Sequence, residues 1–305
     1  MPSNLAPLGA LPARFRRPRV LIVGCGDVGR RVARRLLPRV RVLALARSQA
    51  GADALRAQGI APLRGDLDQA ASLQRLAGVA THVLHLAPPP SDGPRDARTR
   101  QLVLALARRS APLALVYGST SGVYGDHAGA WVAETCPPRP GSDRARARLA
   151  AEGWVRALGR GAGTRVSVLR IAAIHAPDRA GAPRERLRLG TPVLVAAEDV
   201  YASRIHAEDL ARACLLALWH GRPQRVLNVC DDMPMKMGDY LDRMADLCDL
   251  PRPPRITRAE AEQRLAPQRL AFLRESRRLV NDRLKRELRL RLLHPDPVTG
   301  RGGEP

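Results

Sequence analysis

The chain has 305 residues, of which 45% are hydrophobic and 26% charged, so it reads as a soluble globular protein with enough length for one large domain or a domain and a smaller lobe. Its 51 basic and 29 acidic side chains leave a net charge of +22, nearly all of it arginine, because lysine occurs only at 236 and 285. The arginines lie on every predicted helix rather than in one patch and aromatics are only 3%, which argues against a specific nucleic-acid partner and for loose adhesion to polyanions at low salt.

Strand and helix signals alternate from residue 19 onward. RVLIVGCG (19–26) is a β-branched apolar run that ends at glycines, and DVGRRVARRLL (27–37) sets apolar residues at 28, 32, 36 and 37 at helical spacing. RVRVLALAR (39–47) is a second strand, GADALRAQG (51–59) a short helix and IAPLRGDL (60–67) a third strand. QAASLQRLAGV (69–79) predicts a helix, and THVLHLAPPP (81–90) a strand stopped by three prolines. ARTRQLVLALARRS (97–110) predicts a helix and LALVYGSTS (113–121) a fifth strand. The arginine-rich GSDRARARLAAE (141–152) leads into a helix that continues through GWVRALGR. TRVSVLRIAAI (164–174) predicts a strand, 175–192 a loop-rich stretch, SRIHAEDLARACLLALWHG (203–221) a short strand and a helix, and QRVLNVCDD (224–232) another strand. The remainder is helical with proline breaks.

This alternation calls for an α/β fold, a Rossmann-type doubly wound parallel sheet with a smaller C-terminal substrate lobe. The expected division is a flexible tail at 1–18, a nucleotide-binding domain at 19–175 that also receives 203–230, a small lobe from 176–202 and 231–293, and a second flexible tail at 294–305. No apolar run reaches the roughly 18–20 residues of a membrane helix. The N-terminal stretch lacks the basic start and apolar centre of a signal peptide. The five cysteines (25, 136, 214, 230, 248) form no C-x-x-C pair, which points to a reducing cytoplasm and to neither a disulfide framework nor a metal site.

The first candidate site is G-x-G-x-x-G at Gly24, Gly26 and Gly29, which closes a predicted strand and opens a predicted helix. Gly24 permits the tight turn, Gly26 lets the backbone approach a pyrophosphate, and Gly29 lets the helix pack on the sheet. With Asp27 and Val28 they would set a dinucleotide on the free N–H groups of the helix. An NAD site carries an acid at the end of the second strand; here Arg47 and Ser48 stand there, and an arginine suits a 2′-phosphate. The expected cofactor is therefore NADP(H), with NAD as the alternative.

GCGDVGRRV, RGDLDQ, HLAPPP, VYGSTSGVYGD, VLRIAAIHAPDR and RIHAEDLARA follow one another in an order that resembles the extended short-chain dehydrogenase/reductase family, which includes nucleotide-sugar epimerases and dehydratases. The resemblance covers about residues 19–293, and G-x-G-x-x-G in place of G-x-x-G-x-x-G marks an atypical branch. It implies that Asp66 and Leu67 lie by the adenine, that Leu86 and Ala87 line the cofactor's ribose and phosphates, and that Thr120 supplies the hydroxyl that meets the substrate oxygen. It also implies that an arginine near RIHAED, here Arg204, touches substrate phosphates.

The same resemblance exposes a gap. The family's acid/base pair is Y-x-x-x-K, with the lysine four residues before a glutamate. Counting back from Glu152 puts Arg148 at the lysine and Arg144 at the tyrosine, and none of the tyrosines at 117, 124, 201 and 240 has a lysine four residues on. A guanidinium stays protonated below a pKa of about 12, so neither arginine can move a proton near neutrality. Sharing a helix face, Arg144 and Arg148 could clamp a phosphate or carboxylate, or simply line a solvated basic helix. Tyr117, Tyr124, His175, Tyr201 and His206 are the remaining proton-transfer candidates, and His82 and His85 read as packing residues. Two functions stay open: an epimerase/dehydratase-like oxidoreductase acting on a nucleotide sugar or another anionic small molecule, and a non-catalytic NADP(H) sensor or regulator. A homodimer is allowed by either.

Overall fold

The computed structural model describes residues 18–91, 93–179, 181–266, 270 and 272–298. The expected tail at 1–18 falls outside this set but for its last residue, and the second expected tail does so from 299 onward. The central sheet has seven strands: β1 (Arg19–Val23), β2 (Arg41–Ala46), β3 (Ala61–Arg64), β4 (His82–His85), β5 (Ala114–Thr120), β6 (Arg165–Ile171) and β7 (Arg225–Val229). They run in the order β7-β6-β5-β4-β1-β2-β3. The pairings of β1 with β2 and β4, of β2 with β3 and of β4 with β5 are parallel. The order reverses between β1 and β4, the switch point at which open α/β sheets hold their ligands.

The strands form around short apolar runs, which in β1 are largely β-branched. In β1, Val20, Leu21, Ile22 and Val23 are all fully buried, as in a sheet covered on both faces. The helices follow the expected spacing. α1 (Asp27–Leu36) buries Val32, Ala33 and Leu36 and carries Arg34 and Arg35 in its last turn, where basic side chains complement the helix dipole. α2 (Gln49–Arg56), α3 (Ala97–Ala107) and α4 (Asp143–Ala162) complete the first half, with α3 packed against α4. The predicted helix at 69–79 is a 3-10 turn over Ala70–Leu76.

The chain divides into two compact units. The first comprises 1–119, 143–169 and 211–226, and the second 120–142, 170–210 and 227–305. These bounds differ from the expected ones, since the second unit takes up 120–142, 170–175, 203–210 and 227–230. The core of the first unit includes Leu21, Val83, Leu102, Leu115, Val155 and Val166. One core cluster of the second gathers Leu187, Val193, Met235, Tyr240, Leu241 and Ala245. Residues 294–298, expected in a loose tail, are built into this unit: the backbone N–H of His294 donates to the Asp209 carboxylate at 2.8 Å, and the Pro295 carbonyl accepts from Asp232.

Candidate functional site

The first unit carries the candidate nucleotide site at the carboxyl ends of β1, β2, β3 and β4. Gly24 has φ +88°, and a Cβ built on it would lie 2.4 Å from the Ala87 nitrogen, so only glycine fits beneath that loop. A Cβ on Gly29 would meet the Gly24 carbonyl oxygen at 3.1 Å and Ile22 at 3.2 Å, which locks α1 onto β1. Gly26 differs, because a Cβ there would meet nothing within 4 Å. It is exposed, it is the N-cap of α1, and no side chain caps the helix start. The turn therefore leaves open space before uncapped backbone N–H groups, which fits the pyrophosphate of a dinucleotide. The Asp27 carboxylate in that first turn accepts from Arg31 Nε at 3.0 Å, which offsets part of its repulsion toward an anion. Val28 is half-buried one residue on. Across the turn, the amides of Leu86 and Ala87 both donate to the Val23 carbonyl, at 2.7 and 3.0 Å, and bend the exit of β4 over the end of β1.

At the end of β2, Arg47 is exposed and makes no hydrogen bond or ion pair with another described residue. Ser48 is the N-cap of α2, its hydroxyl accepting from the Gly51 amide at 3.1 Å, so it has a local structural role. After β3, Asp66 accepts from the Asp68 amide at 3.0 Å and donates its own amide to Ser72, while Leu67 is buried. Asp68 is gripped by the Arg98 guanidinium through bonds of 2.7 and 2.6 Å. That hydrogen bonding, followed by the charges of Arg98 and Arg47, holds its carboxyl below the usual carboxylate range.

Arg144 and Arg148, which by spacing could clamp an anion or line a solvated helix, differ in burial. Arg144 is exposed at the start of α4, whereas Arg148, one turn on, is only 8% exposed. Arg148 Nη1 donates to the Gly118 carbonyl at 2.7 Å, to the Ala87 carbonyl at 3.2 Å and to the Tyr117 hydroxyl at 3.2 Å. The guanidinium thus ties α4 to the ends of β4 and β5, and it is no part of a solvated helix face. Among the described residues no carboxylate pairs with it. Four positions further along α4, Glu152 is buried and accepts from the Ser119 hydroxyl at 2.6 Å.

Two neighbours of Arg148 are locked in their neutral forms. Burial pushes the Tyr117 phenol up to about 12, despite the opposing charge of Arg148. His85 is pulled down to about 3, first by burial and then by Arg148. Its Nε2 lies 2.8 Å from the Thr99 hydroxyl, which donates to Asp96 at 2.7 Å. Since Thr99 gives its proton to Asp96, His85 Nε2 carries the hydrogen and Nδ1 is bare. Sequence reading named His85 as packing and passed over Thr99 and Asp96. The N-cap position of Asp96 was the available signal, because its side chain also accepts from the Thr99 amide.

The second unit holds the other candidates. Thr120 is half-buried, and its hydroxyl oxygen accepts from the Gly122 amide at 3.2 Å, capping the short turn Ser121–Tyr124. Arg204 is 3% exposed. It donates to the Ala202 carbonyl at 2.8 Å and lies 3.8 Å over the Tyr240 ring, so its donors face inward rather than toward a phosphate. Tyr124 donates to Asn228 at 2.7 Å beneath the Arg170 guanidinium. His206 stacks on His294 at 3.6 Å, and burial pulls His175 beside them down to about 3. Tyr201 lies against Arg278 and Lys236. Each of these five proton-transfer candidates, Tyr117 included, has a packing role in its own unit.

The family model that matches the sequence is the NAD dependent epimerase/dehydratase family, over residues 20–230. The chain belongs to this family. A comparison with curated proteins gave no match. Among solved structures, a functionally unknown conserved protein from Silicibacter pomeroyi shares 32% identity, with 93% of this chain and 96% of that one covered and a TM-score of 0.76. The UDP-glucose 4-epimerase of Thermotoga maritima, solved with UDP-glucose, has 18% identity, coverage of 92% and 96%, and a TM-score of 0.76. A dTDP-glucose 4,6-dehydratase of Streptomyces venezuelae, solved with NAD bound, has 21% identity, coverage of 90% and 92%, and a TM-score of 0.72. The last two show the shared epimerase/dehydratase fold. Within the described residues no helix is long and apolar enough to cross a membrane.

Proposed function

We propose that this family member binds NADP(H) in its first unit and acts as an epimerase/dehydratase-like oxidoreductase on a nucleotide sugar or another anionic small molecule. The glycine turn carries the reading: Gly24 and Gly29 are closed by their neighbours while Gly26 faces open space. The exposed Arg47 at the end of β2 supports a 2′-phosphate, and the nucleotide-sugar enzymes that share the fold support the substrate class. The five free cysteines fit a reducing cytoplasm. Fluorescence titration with NADPH and NADH tests the cofactor. Gly26→Ala should leave the fold intact and weaken cofactor binding at least tenfold, and tighter binding of NADH than NADPH would overturn the NADP assignment.

One observation favours a second reading, a non-catalytic NADP(H) sensor or regulator. Arg148 is buried in ties to Gly118, Ala87 and Tyr117, and neither it nor Arg144 can shuttle a proton. A panel of nucleotide sugars separates the two. Substrate-dependent oxidation or reduction of the bound cofactor supports the enzyme, and tight cofactor binding with silence across the panel supports the sensor.

A further inference from the structure

We propose that Trp131, Tyr201, Arg278 and Lys236 form a docking surface for an acidic peptide segment of a partner protein, with the Arg278 guanidinium receiving one of its carboxylates. All four residues belong to the second unit, and the inference does not depend on the cofactor reading above. Two short strand pairs bring them together. Trp131–Val132 runs parallel to Arg278–Leu279, with Trp131 opposite Arg278. Tyr201–Ala202 runs antiparallel to Met235–Lys236, with Tyr201 opposite Lys236. The Tyr201 amide donates to the Ser276 hydroxyl at 3.0 Å, and its carbonyl accepts from the Arg277 amide at 3.2 Å, which joins the two pairs.

Arg278 is held by two rings and a carbonyl. Its Cζ lies 4.7 Å from the centre of the Tyr201 ring and 5.1 Å from that of the Trp131 ring, and its Nε donates to the Gly129 carbonyl at 2.7 Å. These contacts order the side chain on folding, so that entropy is not lost again on binding. Nη1 and Nη2 make no hydrogen bond or ion pair with a described residue. With Nε engaged, these two nitrogens remain as a planar fork, the geometry that suits a carboxylate. Other surface arginines pair with acids of the chain itself: Arg146 with Asp143, Arg252 with Asp246 and Arg274 with Glu262. Arg278 is ordered by rings instead, and no described carboxylate pairs with it. The neighbours point to the kind of partner. Lys236 Nζ lies 5.9 Å from the same Tyr201 ring and donates to a neutral oxygen, the Ala196 carbonyl, at 2.9 Å, so the second cation also lacks an acid. Trp131 is 53% exposed. An exposed tryptophan beside a tyrosine and an ordered arginine has the composition of a protein-binding hot spot, whereas small molecules take concave pockets. Two cations without acids call for acidic residues in the docked segment.

Fluorescence anisotropy of the full chain with a labelled Glu-Glu-Phe-Glu amide at physiological ionic strength reads the interaction, with Gln-Gln-Phe-Gln amide as the neutral counterpart. The acidic peptide should bind and the neutral one should not. Arg278→Ala should weaken binding about tenfold, and Trp131→Ala about fivefold. Arg278→Lys should weaken it nearly as much as Arg278→Ala, because an ammonium keeps the charge and loses the fork and the flat faces. Arg34→Ala removes an equal charge from an exposed position of α1 and should change binding less than about twofold. If Arg278→Ala does not fold, Trp131→Ala carries the test, since an exposed ring can be removed without leaving a core cavity. No binding of the acidic peptide overturns the proposal. Equal losses at Arg278 and Arg34, full binding by Arg278→Lys, or equal binding of the neutral peptide also overturn it, leaving either adhesion by net charge or a contact without a carboxylate. Tighter binding of inorganic phosphate than of the acidic peptide, lost in Arg278→Ala, would make this a small-oxyanion site and overturn the docking surface.

Discussion

Each unit of the molecule buries an arginine that the sequence marked as a candidate site residue, and the two arginines are held differently. Arg204, in the second unit, donates from Nη1 to two backbone carbonyls, points Nη2 at the Met237 sulfur and covers its flat face with the Tyr240 ring. Burial pulls its pKa down to about 10, and Asp231 lies in its field. Arg148, in the first unit, uses one nitrogen and leaves Nε and Nη2 without hydrogen bonds to described residues. Neither pairs with a carboxylate among the described residues, yet the Arg204 guanidinium lies 3.8 Å from the Tyr240 ring, whereas that of Arg148 stands 5.7 Å from the Tyr117 ring. A buried guanidinium is therefore more of a packing element the more closely its face and donors are taken up, and more of a standing charge the less they are.

The comparison can be broken most directly at Arg204. Arg204→Met removes donors from two buried carbonyls and leaves a gap beside Tyr240, so denaturant unfolding should show a loss on the order of 3 kcal/mol, with little change in cofactor affinity. Asp231 sharpens the same contrast. Burial raises its carboxyl to about 8 in the folded state, and one of its oxygens is buried without a partner. The unfolded value is near about 4. A folded pKa above the unfolded one means a contribution to stability that is complete below about pH 4 and is lost as the pH climbs to about 8. Asp231→Asn should remove this pH dependence and make the chain more stable than the unsubstituted protein at pH 9, by on the order of 2 kcal/mol.

Arg148→Met should cost less stability than Arg204→Met, about 1–2 kcal/mol, because the Tyr117 ring lies 5.7 Å from the Arg148 guanidinium whereas the Tyr240 ring covers that of Arg204 at 3.8 Å. An equal or larger loss would put Arg148 in the packing class with Arg204. Arg144→Ala, on the exposed start of α4, should change stability by no more than about 0.5 kcal/mol in thermal melts.

Much of the first unit was legible because local chemistry and global fold agree there. The apolar run of β1, the glycines after it and the amphipathic pattern of α1 each require the neighbouring element, so the reading is redundant. The departure at Arg144 and Arg148 was equally visible, being a matter of residue identity. The fate of those arginines was not, because both belong to one helix face by spacing. Only the carbonyls of Gly118 and Ala87, 30 and 61 residues away in sequence, separate the buried one from the exposed one. The surroundings of Arg204 were hidden for the same reason: the Tyr240 ring that covers it lies in a later helix. The region 294–298 read as a tail from its prolines and polarity, and its anchor, Asp209, sits far earlier in the chain.

That anchor bears on how far the chain can be shortened. Asp209 is fully buried, and its two carboxylate oxygens take the backbone N–H groups of Leu293 and His294, each at 2.8 Å. A version ending before Leu293 would strand a buried negative charge without two of its donors, whatever the side chains removed. Leu293 and His294 therefore act as a lid on an internal acid, and a shortened protein made for crystallisation should end beyond His294.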